Sequence, residues 1–328
     1  MKKLLLLAIV ALTVMAGCTK ANPVYKVGVG SVTTIQPRAA VAETAGRIRV
    51  NTTYATVVLD KDGKFVSVSI DVSQQDGTFD VAGAIVAANA AQTKKEKGAA
   101  YGMKGSSAIG KEWDEQIAAL EAWMVGKTLA EVKALPLTEG KIKDGEDLKS
   151  SVTITVTDYL AAVEKAVANA VELQNVAKVG GASFTTIQPR AAVAETAGRI
   201  RVNVTFAAVA LDKDGKVVAT MIDVAQNDGT FDVAGAIVAA APAATKKEKG
   251  AAYGMKGSSA IGKEWNEQIA ALEAWAAGKT LAEVKALPLT EGKIKDGEDL
   301  KSSVTVTVTD YLAAFEKAVA AAKDLAAK

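Results

Sequence analysis

Two runs of alternating apolar and polar residues flank an acidic turn early in the chain. In the first run four apolar residues share one parity: Ile48, Val50, Tyr54 and Val58. In the second run the apolar positions are Val66, Val68, Ile70 and Val72. The turn between the runs, residues 60–63, ends in Asp-Gly. Period-two patterns on both sides of such a turn predict an antiparallel hairpin.

Helical spacing follows the hairpin. Residues 109–124 carry apolar side chains every three or four positions and predict a helix that ends at Gly126. Residues 128–131 form a capping-box pattern that opens a shorter helix, which stops before Pro136. Upstream, the Ala-rich stretch 81–91 predicts another short helix.

A β-branched run, residues 150–156, predicts a strand. Thr157 is expected to cap the next helix, with Asp158 favourably placed in its first turn. Three residues are expected to be buried by this helix: Leu160, Val163 and Val167. Because the helices group apart from the hairpin, the pattern predicts an α+β fold, an antiparallel hairpin-based sheet packed with helices.

The whole pattern occurs twice without a gap. Residues 33–51 are identical to residues 185–203, so the offset between the copies is 152 positions. We therefore predict two tandem homologous domains, 26–174 and 178–328, of ordinary domain size. Any site in one copy is expected to recur in the other.

The first residues are typical of an export signal. Lys2 and Lys3 precede an apolar stretch, residues 4–15, which is shorter than the roughly 20 residues of a spanning helix. Ala-Gly-Cys at 16–18 resembles a bacterial lipobox, which implies that residues 1–17 are removed and that Cys18 is lipidated. Residues 18–25 would then form a tether. The alternative is an ordinary secretory signal with an incidental cysteine.

The lipobox resemblance implies export and anchoring to the outer face of the bacterial cytoplasmic membrane, or a periplasmic or outer-membrane location in a Gram-negative cell. Loss of residues 1–17 removes two of the 39 basic residues and leaves 37 against 37 acidic ones. A neutral chain argues against nucleic acid as a partner.

Histidine is absent from the sequence, and Cys18 is its single cysteine. This composition excludes Ser-His-Asp and Cys-His catalysis, histidine-ligated haem and the common zinc sites. No metal is predicted, and a carrier or binding module is favoured over an enzyme.

The closing segment of each copy carries a resemblance to a known family. Asp147, Ser150 and Thr153 stand in the order Asp, Ser three residues later, then Thr three residues after that. This segment, with the strand and helix expected after it, resembles the flavinylation site of FMN-binding domains. The resemblance covers residues 45–72 and 144–168 and their equivalents in the second copy.

The resemblance implies that Thr153 carries FMN through a phosphoester bond, with Asp147 and Ser150 as flanking motif residues. The equivalent residues of the second copy are Thr305, Asp299 and Ser302. The Gly-Ala that precedes the family's threonine is Ser151-Val152 here and Ser303-Val304 in the second copy. Because valine adds bulk beside the hydroxyl, covalent attachment, non-covalent flavin binding and an ordinary strand with a helix cap all stay open.

Residues 101–113 form a second candidate segment. Glycines and serines precede an expected helix start, whose backbone N–H groups and dipole favour an anion. Lys104 could add positive charge and Tyr101 could stack on a planar ring. The equivalents are Lys256 and Tyr253. The alternative is a turn with an ordinary cap and a core tryptophan.

These observations predict a membrane-tethered, extracytoplasmic FMN protein that carries electrons to or from a membrane redox partner. The alternatives are a non-redox lipoprotein that binds a ligand or partner through loops 102–107 and 254–259, and a purely structural repeat. A hydrolase ranks last, since nothing pairs a nucleophile with a base.

Overall fold

The computed structural model describes residues 24–325, which form two halves of the same α+β architecture. The first half is built on a five-stranded antiparallel sheet, in which the strands are ordered β4-β3-β2-β1-β7. Its strands are β1 (Tyr25–Arg38), β2 (Gly46–Leu59), β3 (Phe65–Phe79), β4 (Ile85–Ala87) and β7 (Val171–Leu173). A small hairpin joins β5 (Leu137–Thr138) to β6 (Lys141–Ile142).

The helices of the first half are α1 (Lys94–Lys97), α2 (Trp113–Met124), α3 (Leu129–Lys133) and α4 (Thr157–Ala168). Short 3₁₀ turns lie at Gly98–Tyr101, Lys104–Ser106 and Asp147–Ser150. Thr128 caps α3, and its hydroxyl and the Glu131 carboxylate satisfy each other's backbone N–H, as the capping-box pattern predicted.

The second half repeats this order. Its sheet, ordered β11-β10-β9-β8-β14, consists of β8 (Lys178–Arg190), β9 (Gly198–Leu211), β10 (Val217–Phe231), β11 (Ile237–Ala239) and β14 (Lys323–Asp324). Its small hairpin pairs β12 (Leu289–Thr290) with β13 (Lys293–Ile294). Its helices are α5 (Lys246–Lys249), α6 (Trp265–Ala276), α7 (Leu281–Lys285) and α8 (Thr309–Ala320). The expected fold class is confirmed.

The two faces of each sheet are buried against different partners. On β2, Ala55 and Val57 point towards α2 and α4 and belong to the core of the first half. Ile48, Val50 and Tyr54, on the other parity, pack against the second sheet. Since a strand directs alternate side chains to opposite faces, the molecule becomes a four-layer sandwich of helices, sheet, sheet and helices.

The halves meet through reciprocal contacts. The Ala40 N–H donates to the Gly235 carbonyl oxygen at 2.9 Å, and the equivalent Ala192 N–H donates to the Gly83 carbonyl oxygen at 2.9 Å. Two equivalent ion pairs, Lys165–Glu248 and Lys317–Glu96, also cross the boundary. Such exchange of equivalent contacts is the signature of a two-fold, isologous interface, here made within one chain.

The glycine at position 77 shows how closely the sheets approach. A Cβ atom built on Gly77 would lie 2.5 Å from Cγ2 of Ile200, and one on the equivalent Gly229 would lie 2.4 Å from Cγ2 of Ile48. Any larger residue would therefore force the two sheets apart.

The hairpin expected over 48–72 is confirmed as β2 and β3. The sequence pattern did not identify β1, the strand that precedes β2 and pairs with it along its length. The short helix expected over 81–91 is wrong, because this stretch contains β4 and then runs along the edge of β3. There the Ala91 N–H donates to the Gln75 side chain at 2.7 Å.

The strand expected over 150–156 is also wrong. Its first residue ends the 3₁₀ turn, and the rest passes irregularly between helices, with Val152 and Val156 fully buried. The Val156 N–H donates to the Gly140 carbonyl oxygen at 2.8 Å and not to a neighbouring strand. Apolar β-branched residues thus serve here as core contacts.

Helix boundaries differ slightly from expectation. The helix expected from residue 109 begins at Trp113, because Glu112 caps it. Thr157 is the first residue of α4, where Val156 is the cap, and Asp158 lies in the first turn as expected. Of the residues expected to be buried by α4, Val163 is buried, whereas Leu160 and Val167 are partly buried.

No helix within residues 24–325 combines the length and apolar character needed to cross a membrane. The expected signal segment, the lipobox and Cys18 lie outside the described residues.

Candidate functional site

Each half contains a polar cleft between the sheet and the N-terminus of its last helix. In the first half the floor comes from the three long strands: Thr34 and Gln36 of β1, Asn51 and Thr53 of β2, Val72 and Gln74 of β3. The wall is formed by Thr155, Thr157, Asp158, Tyr159 and Lys94. The cavity measures ≈ 190 Å³ in the first half and ≈ 310 Å³ in the second.

The cleft exists because the helix-facing side of β2 changes character along the strand. Ala55 and Val57 are covered by helices, whereas Asn51 and Thr53, on the same parity, are polar and line the cleft. Thr53 is only 3% exposed, and the equivalent Thr205 is 2% exposed. A buried hydroxyl facing a cavity favours a polar ligand there.

Lys94 and Tyr159 line one side of the cleft, and two further aromatic rings lie behind Lys94. The Lys94 Nζ atom lies 4.8 Å from the centre of the Tyr101 ring and 5.3 Å from that of Trp113. The Trp113 indole N–H donates to the Tyr159 hydroxyl at 2.8 Å. Burial raises the pKa of Tyr159 to about 12, so this hydroxyl is neutral at physiological pH. The arrangement places a cation and the Tyr159 ring side by side in the cleft wall.

The second cleft repeats this lysine–aromatic arrangement and is also lined by Arg201, which pairs with Asp228. Lys246 lies 4.9 Å from the Tyr253 ring centre and 5.3 Å from that of Trp265. The Trp265 indole N–H donates to the Tyr311 hydroxyl at 2.8 Å. The site is therefore present twice, on opposite outer faces of the paired sheets.

Charge in the cleft is mixed. The ammonium of Lys94 and the N-terminal end of α4 are positive, and Asp158 is the acidic wall residue. In the second cleft the Thr186 hydroxyl donates to Asp310 at 3.5 Å, and burial raises the pKa of the Asp310 carboxyl. Such a site suits a polar ligand with an electron-rich or anionic group near the lysine.

Thr153 lies beside the cleft, two residues before the cleft-lining Thr155. Its backbone N–H and its hydroxyl both donate to Oε1 of Gln116, at 2.9 and 3.3 Å. Gln116 is fully buried and its amide donates to the Ser107 hydroxyl at 3.1 Å. Gln116 thus joins the two candidate segments identified from the sequence, and Gln268 does the same for Thr305.

The bulky Val152 does not stand over the Thr153 hydroxyl. It is fully buried in the core of the first half, as Val304 is in the second. Thr153 itself is half-buried, and its hydroxyl is directed towards the buried Gln116.

Asp147 and Ser150 lie in the 3₁₀ turn that precedes Thr153. The Ser150 hydroxyl donates to the Asp147 carbonyl oxygen at 2.8 Å, and Ser302 makes the same bond to Asp299 at 2.9 Å. Neither residue lines the cleft in the described part of the chain. Their role in this structure is to shape the turn.

The second candidate segment is divided by the structure. Tyr101 reaches the cleft wall, where its hydroxyl donates to Gln74 at 3.5 Å. The Lys104 side chain is exposed and does not line the cleft, as is true of the equivalent Lys256.

The expectation that this loop offers its N–H groups to an external anion is wrong. The N–H groups of Met103 and Lys104 both donate to the Glu112 carboxylate at 2.9 Å. These bonds, that from Lys104 above all, hold the pKa of Glu112 below its usual range. Glu264 occupies the equivalent position in the second half. An internal carboxylate therefore fills the anion position in both halves.

Sequence reasoning missed Lys94, Thr53 and Gln116. Lys94 belongs to a charged run, residues 94–97, of a kind typical of a solvated surface, and its place over Tyr101 is a tertiary contact. The sequence did contain one signal for the cleft. Among alternate residues on the same face of β2, Asn51 and Thr53 are polar, whereas Ala55 is apolar. That change marks where the covering helices stop.

The two copies have diverged unevenly. The cleft residues named above are identical in both halves, whereas the sheet-to-sheet face has changed. Three of these changes pair Thr52 with Val204, Tyr54 with Phe206, and Ser73 with Ala225. The pattern favours the cleft, and not the interface, as the shared functional feature.

Comparison with known proteins gives one partial similarity. A chlorophenol reductase of Desulfitobacterium hafniense is 57% identical over 42 residues, which is 13% of this chain and 13% of that protein. The match thus spans a small fraction of either chain. No protein-family model matches the chain, and no solved structure matches it significantly.

Proposed function

We propose that each half binds one flavin, FMN, with the ring in its cleft, and that the chain is a membrane-tethered electron carrier outside the cytoplasm. The observation that carries the proposal is the position of Thr153 and Thr305. Each threonine matches the flavinylation motif and lies two residues from a duplicated polar cleft with a cation and aromatic rings.

The residues of the cleft fit part of a flavin. A pocket that encloses a whole small molecule usually measures about 300–1,000 Å³, and these clefts lie at or below that range. They therefore suit a ligand whose ring enters the cleft while the remainder stays outside, towards Thr153. The hydroxyl and amide groups of Thr53, Asn51 and Gln74 offer donors and acceptors to the polar edge of such a ring.

Attachment through Thr153 is supported by burial of its neighbour. Val152 is fully buried in the core, whereas Thr153 is half-buried, so the threonine residue is partly exposed at the surface. The hydrogen bond to Gln116 orients the threonine hydroxyl, and Lys111, which donates to the Ser151 hydroxyl at 3.4 Å, brings a positive charge close to the position of a phosphate.

When bound, the flavin supplies the redox chemistry, and the protein positions it. Lys94 places a positive charge in the cleft wall, where it lies over the rings of Tyr101 and Trp113, and Tyr159 adds a neutral hydroxyl to the same wall. The partially similar chlorophenol reductase is named for a redox reaction, which is compatible with redox chemistry here. Transfer to a membrane redox partner would follow from a lipid on Cys18.

The test is to produce the protein in a bacterial host that carries a flavin-transfer enzyme. We expect visible flavin absorbance and an added FMN mass on both halves. Thr153→Ala or Thr305→Ala should each remove one flavin, and the double variant should remove all covalent flavin. Thr138→Ala, at an exposed threonine of β5 outside the motif and the cleft, is the matched control and should keep both flavins. Colourless protein of apo mass from such a host overturns the proposal.

Covalent and non-covalent binding are separated by denaturation. If colour is lost on denaturation and the threonine variants retain it, the flavin is held by the cleft alone, and Lys94→Gln with Lys246→Gln should then weaken binding. The tether is tested by mass spectrometry of membrane-extracted protein, since Cys18→Ser should abolish the lipid mass and release the chain from membranes. Absence of lipid in the wild type would favour an ordinary secretory signal.

A further inference from the structure

A separate cavity lies at one seam between the halves. It measures ≈ 450 Å³, within the range of small-molecule pockets, and is enclosed by β1, β7 and the end of α4 on one side and by β10 and α5 on the other. Val29, Val171 and Met221 give it apolar walls, and Asp223, Lys247 and Glu273 supply charge. None of these residues belongs to either cleft.

The charged groups are tied to the second half. Lys247 Nζ lies 2.6 Å from Oε1 of Glu273, which also accepts the Ile222 N–H at 2.6 Å. Asp223 is 8% exposed, and its Oδ1 accepts the N–H groups of Val224 and Lys247 at 2.7 and 2.9 Å. Burial raises the pKa of both carboxyls.

The opposite seam carries the same charged residues with two additional partners. There the Tyr54 hydroxyl donates to Oδ2 of Asp71 at 3.1 Å, and Lys95 donates to the Ser69 hydroxyl at 3.2 Å as well as to Glu121. At the cavity seam the equivalents of Tyr54 and Ser69 are Phe206 and Met221. Asp223 and Lys247 have therefore each lost one side-chain partner, at the seam where a cavity is present.

A second cavity adjoins the first at the same seam. This cavity of ≈ 350 Å³ shares Glu248 with the first one and is lined by Ser31. Ser31 is 3% exposed, and its hydroxyl, like that of the equivalent Ser183, has no hydrogen-bond partner among the described residues. A buried hydroxyl without a partner is costly, so a polar group supplied from outside would stabilise it.

We propose that this seam binds one apolar α-amino acid per chain, with its ammonium at Asp223 and its carboxylate at Lys247. The side chain of the amino acid would pack on Val29, Val171 and Met221. The two charged ends of the ligand are inferred from the comparison of the seams. Asp223 lacks the hydroxyl donor that Asp71 has, and Lys247 lacks the hydroxyl acceptor that Lys95 has. The proposal is independent of the flavin and goes beyond the proposed function.

Both ends of the ligand are needed for this assignment. A lysine ammonium has three donors, of which one reaches Glu273, and a carboxylate has four acceptor positions. A zwitterion satisfies both groups at once, whereas a simple amine or a simple acid would satisfy one and leave the other partly unpaired.

The probe is L-leucine, titrated calorimetrically into the full-length mature protein. We expect saturable binding at one site per chain with a Kd of about 1 mM or tighter. The analogues 3-methylbutylamine and 4-methylpentanoate, which lack the carboxylate and the ammonium respectively, should bind at least about tenfold more weakly. No saturable binding of leucine overturns the proposal, and so does equal binding of either analogue.

The opposite seam suggests two variants that should block the leucine site, which we call the closing variants. Phe206→Tyr and Met221→Ser restore the partners found at the opposite seam, and each should weaken leucine binding at least about tenfold. Ser69→Met at the opposite seam is the matched control and should leave leucine binding unchanged. Thermal unfolding of each variant verifies folding. Unchanged affinity in both closing variants overturns the site, whereas the flavin content of all three should equal that of the wild type.

Discussion

The rings of Phe79 and Phe231 stack across the two sheets, with centroids 3.7 Å apart and planes inclined by 1°. They occupy the same position in the two copies, so the approximate two-fold axis passes between them. Tyr54 and Phe206, also equivalent, stack further along the same face with centroids 6.3 Å apart. The axis is thus marked by pairs of residues that meet their own counterparts.

Truncating one ring of this pair should destabilise the whole molecule. Phe79→Ala or Phe231→Ala is expected to lower the free energy of unfolding by about 3–5 kcal/mol, because a fully buried aromatic side chain leaves a cavity. The double variant should cost less than the sum, since each ring is the other's partner. Denaturant unfolding measures both effects. Val86→Ala, at an exposed valine, is the control, and additive losses would show that the rings are not coupled.

Gln116 should be a structural determinant of the loop that carries Thr153. Gln116→Leu removes the acceptor of the Thr153 N–H and hydroxyl and the donor to Ser107. We expect a loss of about 1–3 kcal/mol in the free energy of unfolding, because buried polar groups are left unpaired. Gln268→Leu should behave alike in the second half. The same change at the exposed Gln92 should be nearly neutral, and equal stability of Gln116→Leu and Gln92→Leu would contradict the assignment.

Glu112 should contribute to acid sensitivity. Its folded pKa is depressed by the N–H groups of Lys104 and Met103, so its stabilising effect is present above the unfolded value of about 4.3. That effect is lost as the pH falls through the folded pKa. Glu112→Gln should therefore lower stability at neutral pH and flatten the loss of stability below about pH 4. Denaturant unfolding from pH 7 to pH 3 tests this, with Glu43→Gln in an exposed turn as the control. A pH dependence of stability parallel to that of the wild type would contradict the role given to the hydrogen bonds of Glu112.

Tyr159 and Tyr311 should make the fold sensitive to alkali. Burial raises the pKa of each hydroxyl to about 12, against about 10 in the unfolded chain. A raised pKa gives stability that is present below pH 10 and is lost as the pH rises towards 12, by roughly 2–3 kcal/mol for each group. Tyr159→Phe and Tyr311→Phe should each make that loss shallower. Unfolding measured from pH 9 to pH 12 shows it, and tyrosinate absorbance that rises fully near pH 10 would be the contrary result.

Sequence patterns correctly predicted the elements that are determined by residues close together in the chain. The hairpin of β2 and β3 follows from alternation around an Asp-Gly turn, and α3 begins at Thr128 because the capping box is complete within four residues. The amphipathic spacing over residues 109–124 likewise predicted α2, in which Trp113, Ile117 and Leu120 are buried. These features need no distant partner.

The two wrong secondary-structure predictions concern segments whose conformation depends on distant residues. Residues 81–91 are Ala-rich, yet they take up β4 because the end of β3 offers a partner. Residues 150–156 are β-branched, yet no strand lies beside them, and Val152 and Val156 become core contacts. At the candidate site, Thr153 was identified by its motif, whereas Lys94, Thr53 and Gln116 converge from separate elements.

The sequence by itself determined the duplication, the α+β class and the presence of any site in two equivalent copies, because repeats and periodic patterns are properties of the chain alone. The tertiary structure decided which faces of the sheets meet, where the clefts lie and which loop is closed by its own carboxylate. It also decided that the halves differ. Strand pairing places Tyr54 opposite Asp71 and Phe206 opposite Asp223, so Asp71 accepts a hydrogen bond from a tyrosine hydroxyl that Asp223 lacks. Contacts between distant residues depend on packing, and packing is set by the whole molecule.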